Sequence, residues 1–110
     1  MYGSIMRARL KPGAREGYEA HLRTLVPSAE DYGQGLHSIE MAYEDKDPDR
    51  VIVVVHFRDR ESYLANANRP ETDSEYRSQL EFLDGEPEWI DVNYSAYVGK
   101  PLTETVQAGA

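Results

Sequence analysis

His56, Tyr63, Asn66, Tyr76 and the single tryptophan, Trp89, are the side chains of this 110-residue chain whose types and spacing could serve a reaction. Tyr63, Asn66 and Ala67 stand at i, i+3 and i+4, so a helix puts them on one face. An amide among apolar neighbours must find a partner or present itself to a ligand. Asn66 therefore either caps the helix end in water or orients a bound molecule. His56 follows Ile52 and Val54 on one side of a strand; it is either a base held in a dry site or a satisfied interface histidine. Trp89 opens a later strand, where it either lines a pocket or anchors that strand against helices. His21 and His37 have less to recommend them.

Several chemistries are excluded outright. The chain has no cysteine, so disulfides, thiolate metal sites and thiol nucleophiles are absent. Acids at Asp45, Asp47 and Asp49 have the spacing of a calcium loop, which would need Gly at the sixth place and Glu at the twelfth. Arg50 and His56 stand there instead, so the segment reads as a solvated turn and no metal is expected. No GxSxG, HExxH or phosphate-cradling glycine loop occurs. With 20 acids against 12 bases the net charge is -8, the wrong sign for a nucleic-acid or anionic-membrane partner.

The elements that must position these residues follow from periodicity. A length of 110 residues is one domain by the usual prior, and 40% hydrophobic content with a mean hydropathy of -0.67 describes a soluble globular one. Tyr2 to Lys11 alternates and stops at Pro12-Gly13, a strand closed by a turn. From Ala14 the period changes: Tyr18, Leu22, Leu25 and Val26 form a helical stripe ended by Pro27. Ser28 to Gly35 reads as loop. Leu36 to Tyr43 and Arg50 to Phe57 are strands joined as a hairpin by the acidic turn EDKDPD. Asp59 is an N-cap for a helix over Arg60 to Asn68. Thr72 with Glu75 is a capping box for another, with Tyr76, Leu80 and Leu83 inward and Gly85 at its C-terminal end. Arg77 and Glu81 are spaced to pair on its surface. Glu88 to Val98 alternates as the last strand. The domain is thus 1–98, with 99–110 a tail that is loose or laid over a neighbour. The N-terminus lacks a basic segment followed by a long apolar run, and no apolar stretch approaches ~20 residues, so no membrane span and a cytoplasmic location are expected.

The order β-α-β-β-α-α-β is that of an α+β, ferredoxin-like split βαβ fold, a four-stranded antiparallel sheet with every helix on one face. The stretch RVIVVVHF, Arg50 to Phe57, then poses a difficulty. Val51, Val53, Val55 and Phe57 point one way and Ile52, Val54 and His56 the other, so the central strand is apolar on both faces. Helices can cover only one. Leaving a Val or Ile exposed forgoes ~1.5–3 kcal/mol, so a second copy packed sheet to sheet is the expected cover. Arg7 and Arg9 on the first strand, with Asp91, Asn93 and Ser95 on the last, would give that homodimer face a polar margin. The alternative is a monomer with a partly wetted sheet.

The segments RARLKPG (Arg7 to Gly13), VVVHFRDRESYLANA (Val53 to Ala67), SEYRSQL (Ser74 to Leu80) and PEW (Pro87 to Trp89) resemble the antibiotic-biosynthesis-monooxygenase (ABM-like) domains of the dimeric α+β barrel superfamily. The resemblance spans about residues 2 to 98. It implies a homodimer whose two sheets form a barrel, with a pocket in each protomer between sheet and helices for a small hydrophobic or aromatic molecule. Relatives of this kind include cofactor-free quinol and polyketide oxygenases, haem-degrading enzymes and signal-molecule processing enzymes. It further implies that Asn66 stands where the family often has a polar residue, sometimes His. Tyr76 stands near the axial His of haem-degrading relatives, and Phe57 where many place Trp. Those two departures weigh against haem degradation. The implied activity is monooxygenation of a small aromatic, quinol or polyketide-type substrate without cofactor. Asn66 and Tyr76 would be orienting donors, His56 the base, and Phe57, Tyr63 and Trp89 the walls. The alternatives are a non-catalytic metabolite-binding barrel dimer and, with less support, a haem-binding protein.

Overall fold

A computed structural model describes residues 1–25, 35–96 and 98–99. The chain runs through β1 (Tyr2–Arg9), α1 (Arg15–Leu25), β2 (Leu36–Glu44), β3 (Asp47–Phe57), α2 (Arg60–Ala67), α3 (Pro70–Gln79), a 3-10 turn (Leu80–Phe82) and β4 (Glu88–Asn93). This is the α+β order read from periodicity. The strands form one antiparallel sheet in the order β2-β3-β1-β4, with β3 central. Within the expected loop only Gly35 is described, and Val26, Pro27 and most of the tail lie outside the described residues.

Cross-strand register divides the sheet into two faces. One carries the rows Ile39–Val55–Ser4–Asp91 and Met41–Val53–Met6–Trp89 across β2, β3, β1 and β4. On this face the core closes: Met6, Ala8, Leu10, Val51, Val53 and Leu83 are buried with Tyr18 and Leu22 of α1. Tyr18 is wholly buried, and its hydroxyl donates to Gln79 Oε1 at 3.1 Å, tying α1 to α3. The opposite face carries the rows Glu40–Val54–Ile5–Ile90 and Ser38–His56–Gly3–Val92, with no helix over them among the described residues. Both faces of β3 are therefore apolar, as its β-branched run requires.

Several local expectations are corrected. Asp91 pairs with Ser4 and Asn93 with Tyr2, so both lie on the helix side of β4 and not on the margin of the open face. The supposed capping box is absent: α3 starts two residues before Thr72, with Pro70 at its first position, where a missing N–H costs nothing. The Thr72 hydroxyl instead donates to the Asn66 carbonyl at 2.5 Å. Arg77 pairs backward with Asp73, Nε to Oδ2 at 3.0 Å, not forward with Glu81, because the α-helix gives way to the 3-10 turn at Leu80. That turn also separates Gly85 from the helix end; its φ of +90° serves the turn into β4 instead. Leu80 of the expected inward stripe is 37% exposed, while Leu83 is buried. The acidic hairpin shrinks to Asp45–Lys46 because pairing extends β3 back to Asp47, held by Arg9 Nη2 at 2.6 Å from Asp47 Oδ2. β4 ends at Asn93, not Val98; one step past its last pair with Tyr2, the Tyr94 N–H still donates to the Met1 carbonyl at 3.0 Å.

Candidate functional site

α2 is placed by its cap. Asp59 adopts an extended conformation and its side chain accepts a hydrogen bond from Ser62 N at 2.7 Å, as its position before Arg60 implies. This bond, with the neighbouring Arg58, holds the Asp59 carboxyl below its usual range. The next residue, Tyr63, is thereby aimed across the sheet. Its ring packs between Tyr2 (centroids 5.1 Å apart) and the buried Phe57 (5.4 Å, edge-on). Its hydroxyl donates to Asp91 Oδ1 at 2.7 Å. Burial first, and then the Asp91 carboxylate, push the Tyr63 phenol up to about 12, so it stays a donor. Ser4, buried at 2% exposure, lies beneath this bridge as the β1 partner of Asp91.

A second aromatic pair stands one step along β4. Trp89 projects on the same side of the strand as Asp91, and its ring lies 6.3 Å from that of Tyr76 on α3. Residues i and i+2 of a strand are separated by about 7 Å, so the Tyr63–Asp91 bridge and the Tyr76–Trp89 contact bracket a narrow strip of sheet. Trp89 remains 44% exposed, which leaves its ring available to a ligand.

Asn66 lies one turn beyond Tyr63. Its Oδ1 accepts from Arg69 Nη1 at 3.1 Å, and a guanidinium only donates, so the amide orientation is set. The Asn66 NH₂ group then has no acceptor among the described residues. Arg69 is itself shared with Glu71, 3.5 Å from its Nε.

The structure thus brings Tyr63, Asn66, Tyr76, Phe57 and Trp89 to one side of the sheet, but not His56. His56 lies on the open face, its Nε2 2.9 Å from Glu40 Oε1 and its ring stacked on Tyr94 at 4.2 Å. The sheet itself separates it from Asn66 and Tyr76, so its assignment as their base is corrected. Period 2 put it with Ile52 and Val54, away from Phe57, and that alternation already excluded it from a site walled by Phe57. Asp91 is the residue that the sequence reading missed. The same alternation carried the signal, since Trp89 and Asp91 must share a face.

Among the described residues no group of His, Asp and Glu side chains is placed to hold a metal, and no helix is long and apolar enough to cross a membrane.

The family model described as antibiotic biosynthesis monooxygenase matches residues 1–73, which include β1, β3, α2 and the start of α3. The chain belongs to the antibiotic biosynthesis monooxygenase (ABM) family. No functionally curated protein matches it significantly. Solved structures share its fold. SnoaB, a cofactor-independent oxygenase from Streptomyces nogalater, superposes with a TM-score of 0.71 at 10% identity, over 90% of this chain and 97% of that one. A conserved protein from Methanosarcina mazei gives 0.69 at 14% identity, over 86% and 92% of the two chains. A Chloroflexus aurantiacus protein provisionally named as an antibiotic biosynthesis monooxygenase gives 0.62 at 23% identity, over 89% and 98%. These identities speak for a shared ABM fold and leave the reaction to the residues of the site.

Proposed function

We propose that this ABM domain is a monooxygenase acting on a small aromatic, quinol or polyketide-type substrate held between its helices and β4. The observation that carries this is the strip between the two aromatic contacts, on the side of the sheet that also carries α2 and its Asn66 amide. Flat, electron-rich substrates stack on such walls. A phenol or quinol that loses its proton becomes an anion able to pass an electron to O₂ directly, so this chemistry needs no cofactor. Oxidation of an activated CH₂ to a carbonyl then consumes one O₂, places one oxygen atom in the product and releases the other as water. The Asn66 amide and the Tyr76 hydroxyl are donors suited to hold the substrate oxyanion. SnoaB, with the same fold, is itself a cofactor-independent oxygenase, which supports the reading.

Oxygen uptake with a panel of hydroquinones and anthrones tests it. Consumption above background that saturates with substrate is expected; background rates for every member would overturn the assignment. One observation favours binding without catalysis. Among the described residues no imidazole faces the strip, since His37 and His56 lie against each other on or near the open face and His21 packs on Ser78 and Phe82. Tight binding of the same compounds without oxygen uptake would select that alternative.

The assembly proposed is a homodimer through the open sheet face. Val54, Ile5 and Ile90 form a continuous apolar row across β3, β1 and β4, and Ile90 is 54% exposed in the single chain. Ion pairs of Arg7 and Arg50 with Glu44 border it. A face with an apolar centre and a polar rim has the anatomy of a protein interface.

A further inference from the structure

Asp91 is an exposed acidic side chain on the strip, and its described surroundings use only half of it. Oδ1 accepts the Tyr63 hydroxyl at 2.7 Å, while Oδ2 has no hydrogen-bond partner among the described residues. The carboxylate is locked in orientation by a phenol that is itself wedged between Tyr2 and Phe57, and it sits two residues from the exposed Trp89 ring on the same face. A positioned acceptor next to an aromatic surface recognises a ring that carries a donor. We propose that Asp91 determines specificity in this site: it accepts a hydrogen bond from a hydroxylated, uncharged aromatic through Oδ2 and turns away aromatic carboxylates. This rests on the strip being the ligand site.

The charges nearby act in the same direction. Arg69 is the cation closest to Asn66, and it is taken up by Asn66 Oδ1 and by Glu71. A ligand carboxylate beside Asn66 would therefore meet Asp91 without the Arg69 guanidinium to offset it. Like charges brought together on the strip repel, and a ligand that covers the exposed Asp91 carboxylate without offering a donor takes water from Oδ2 and returns no hydrogen bond. The consequence is a ranking of ligands: phenol above bare hydrocarbon, and both above acid.

The probes are 2-naphthol, naphthalene and 2-naphthoate, which share one ring system, titrated into the full-length protein at pH 7. Binding is followed by the NMR shift of the Trp89 indole N–H, the single tryptophan signal of the chain. Wild type should bind 2-naphthol about 2–10-fold more tightly than naphthalene, the span of one net hydrogen bond, with 2-naphthoate weakest. Asp91→Asn keeps an acceptor for Tyr63 but removes the charge. It should tighten 2-naphthoate severalfold, a gain that damage to the fold cannot produce. Equal affinities for the three probes in wild type, or an Asp91→Asn variant with unchanged 2-naphthoate affinity, would overturn the role of Asp91 while leaving the strip as an aromatic site. Failure of all three probes to move the Trp89 signal would overturn both.

Discussion

Asn66 combines two functions that a single residue can hold only if its amide is oriented. Arg69 fixes Oδ1, and the carbonyl of the same residue receives the Thr72 hydroxyl, so the helix end and the free NH₂ are set together. If that group steadies a developing oxyanion, Asn66→Ala should lower kcat by about 10²-fold, the usual worth of such a donor, with circular dichroism unchanged. Tyr76→Phe should act in the same direction. An unaltered rate in both variants would remove them from the site. The tyrosines also set an alkaline limit. Burial pushes Tyr43 and Tyr63 up to about 12, against about 10 in an unfolded chain. A folded state that keeps its phenolic protons more tightly is stabilised while those protons stay on. That contribution is complete below about pH 10 and disappears as pH climbs from 10 towards 12. Urea midpoints measured over that range should fall, together with the rise of tyrosinate absorbance.

At the scale of elements, short polar signals place the site. The Asp59 side chain starts α2, and only because it starts there does Tyr63 reach Asp91. Asp59→Ala should cost about 1 kcal/mol of stability, the typical value of a lost N-cap, and should loosen the Tyr63 ring signals in NMR. On the other face β1 carries Gly3 for a steric reason. The Tyr94 ring crosses over it to donate to the Val55 carbonyl at 3.1 Å and to stack on His56. A Cβ at residue 3 would overlap the Val55 carbonyl and crowd the Tyr94 ring, 3.3 Å away. Gly3→Ala should cost roughly 1–3 kcal/mol by overpacking, read as a lower thermal midpoint. Element boundaries departed from the periodic reading for both tertiary and local causes. β3 began early because Arg9 reached Asp47, whereas α3 began at Pro70 for a local reason, a proline being tolerated at that position.

For the whole molecule the open face is decisive. Helices cover one side of the sheet, and the row Val54–Ile5–Ile90 lies on the other. A self-complementary two-fold interface would bury these residues against their own copies. Sedimentation at micromolar protein should give a particle of about twice the 12.5 kDa chain mass, and Ile90→Asp should shift it to the single chain. A wild-type particle of one chain with ordinary stability would remove the dimer. The net charge of -8 per chain makes a closed assembly in which the charged rims stay wet more favourable than one that buries them.

The β-branched run from Val51 to Val55, the stripe of Tyr18 and Leu22 and the cap at Asp59 are local patterns, and local patterns determined the element order, the fold and the apolar open face. The placement of Asn66 beside Tyr63 also followed from helical spacing alone. What only the tertiary structure decided was which side chains meet across elements. Tyr63 finds Asp91, Trp89 finds Tyr76, and His56 is cut off behind the sheet by Glu40 and Tyr94. Spacing along a chain gives the face a residue occupies, but the register between strands, a long-range choice made by packing, gives its neighbour.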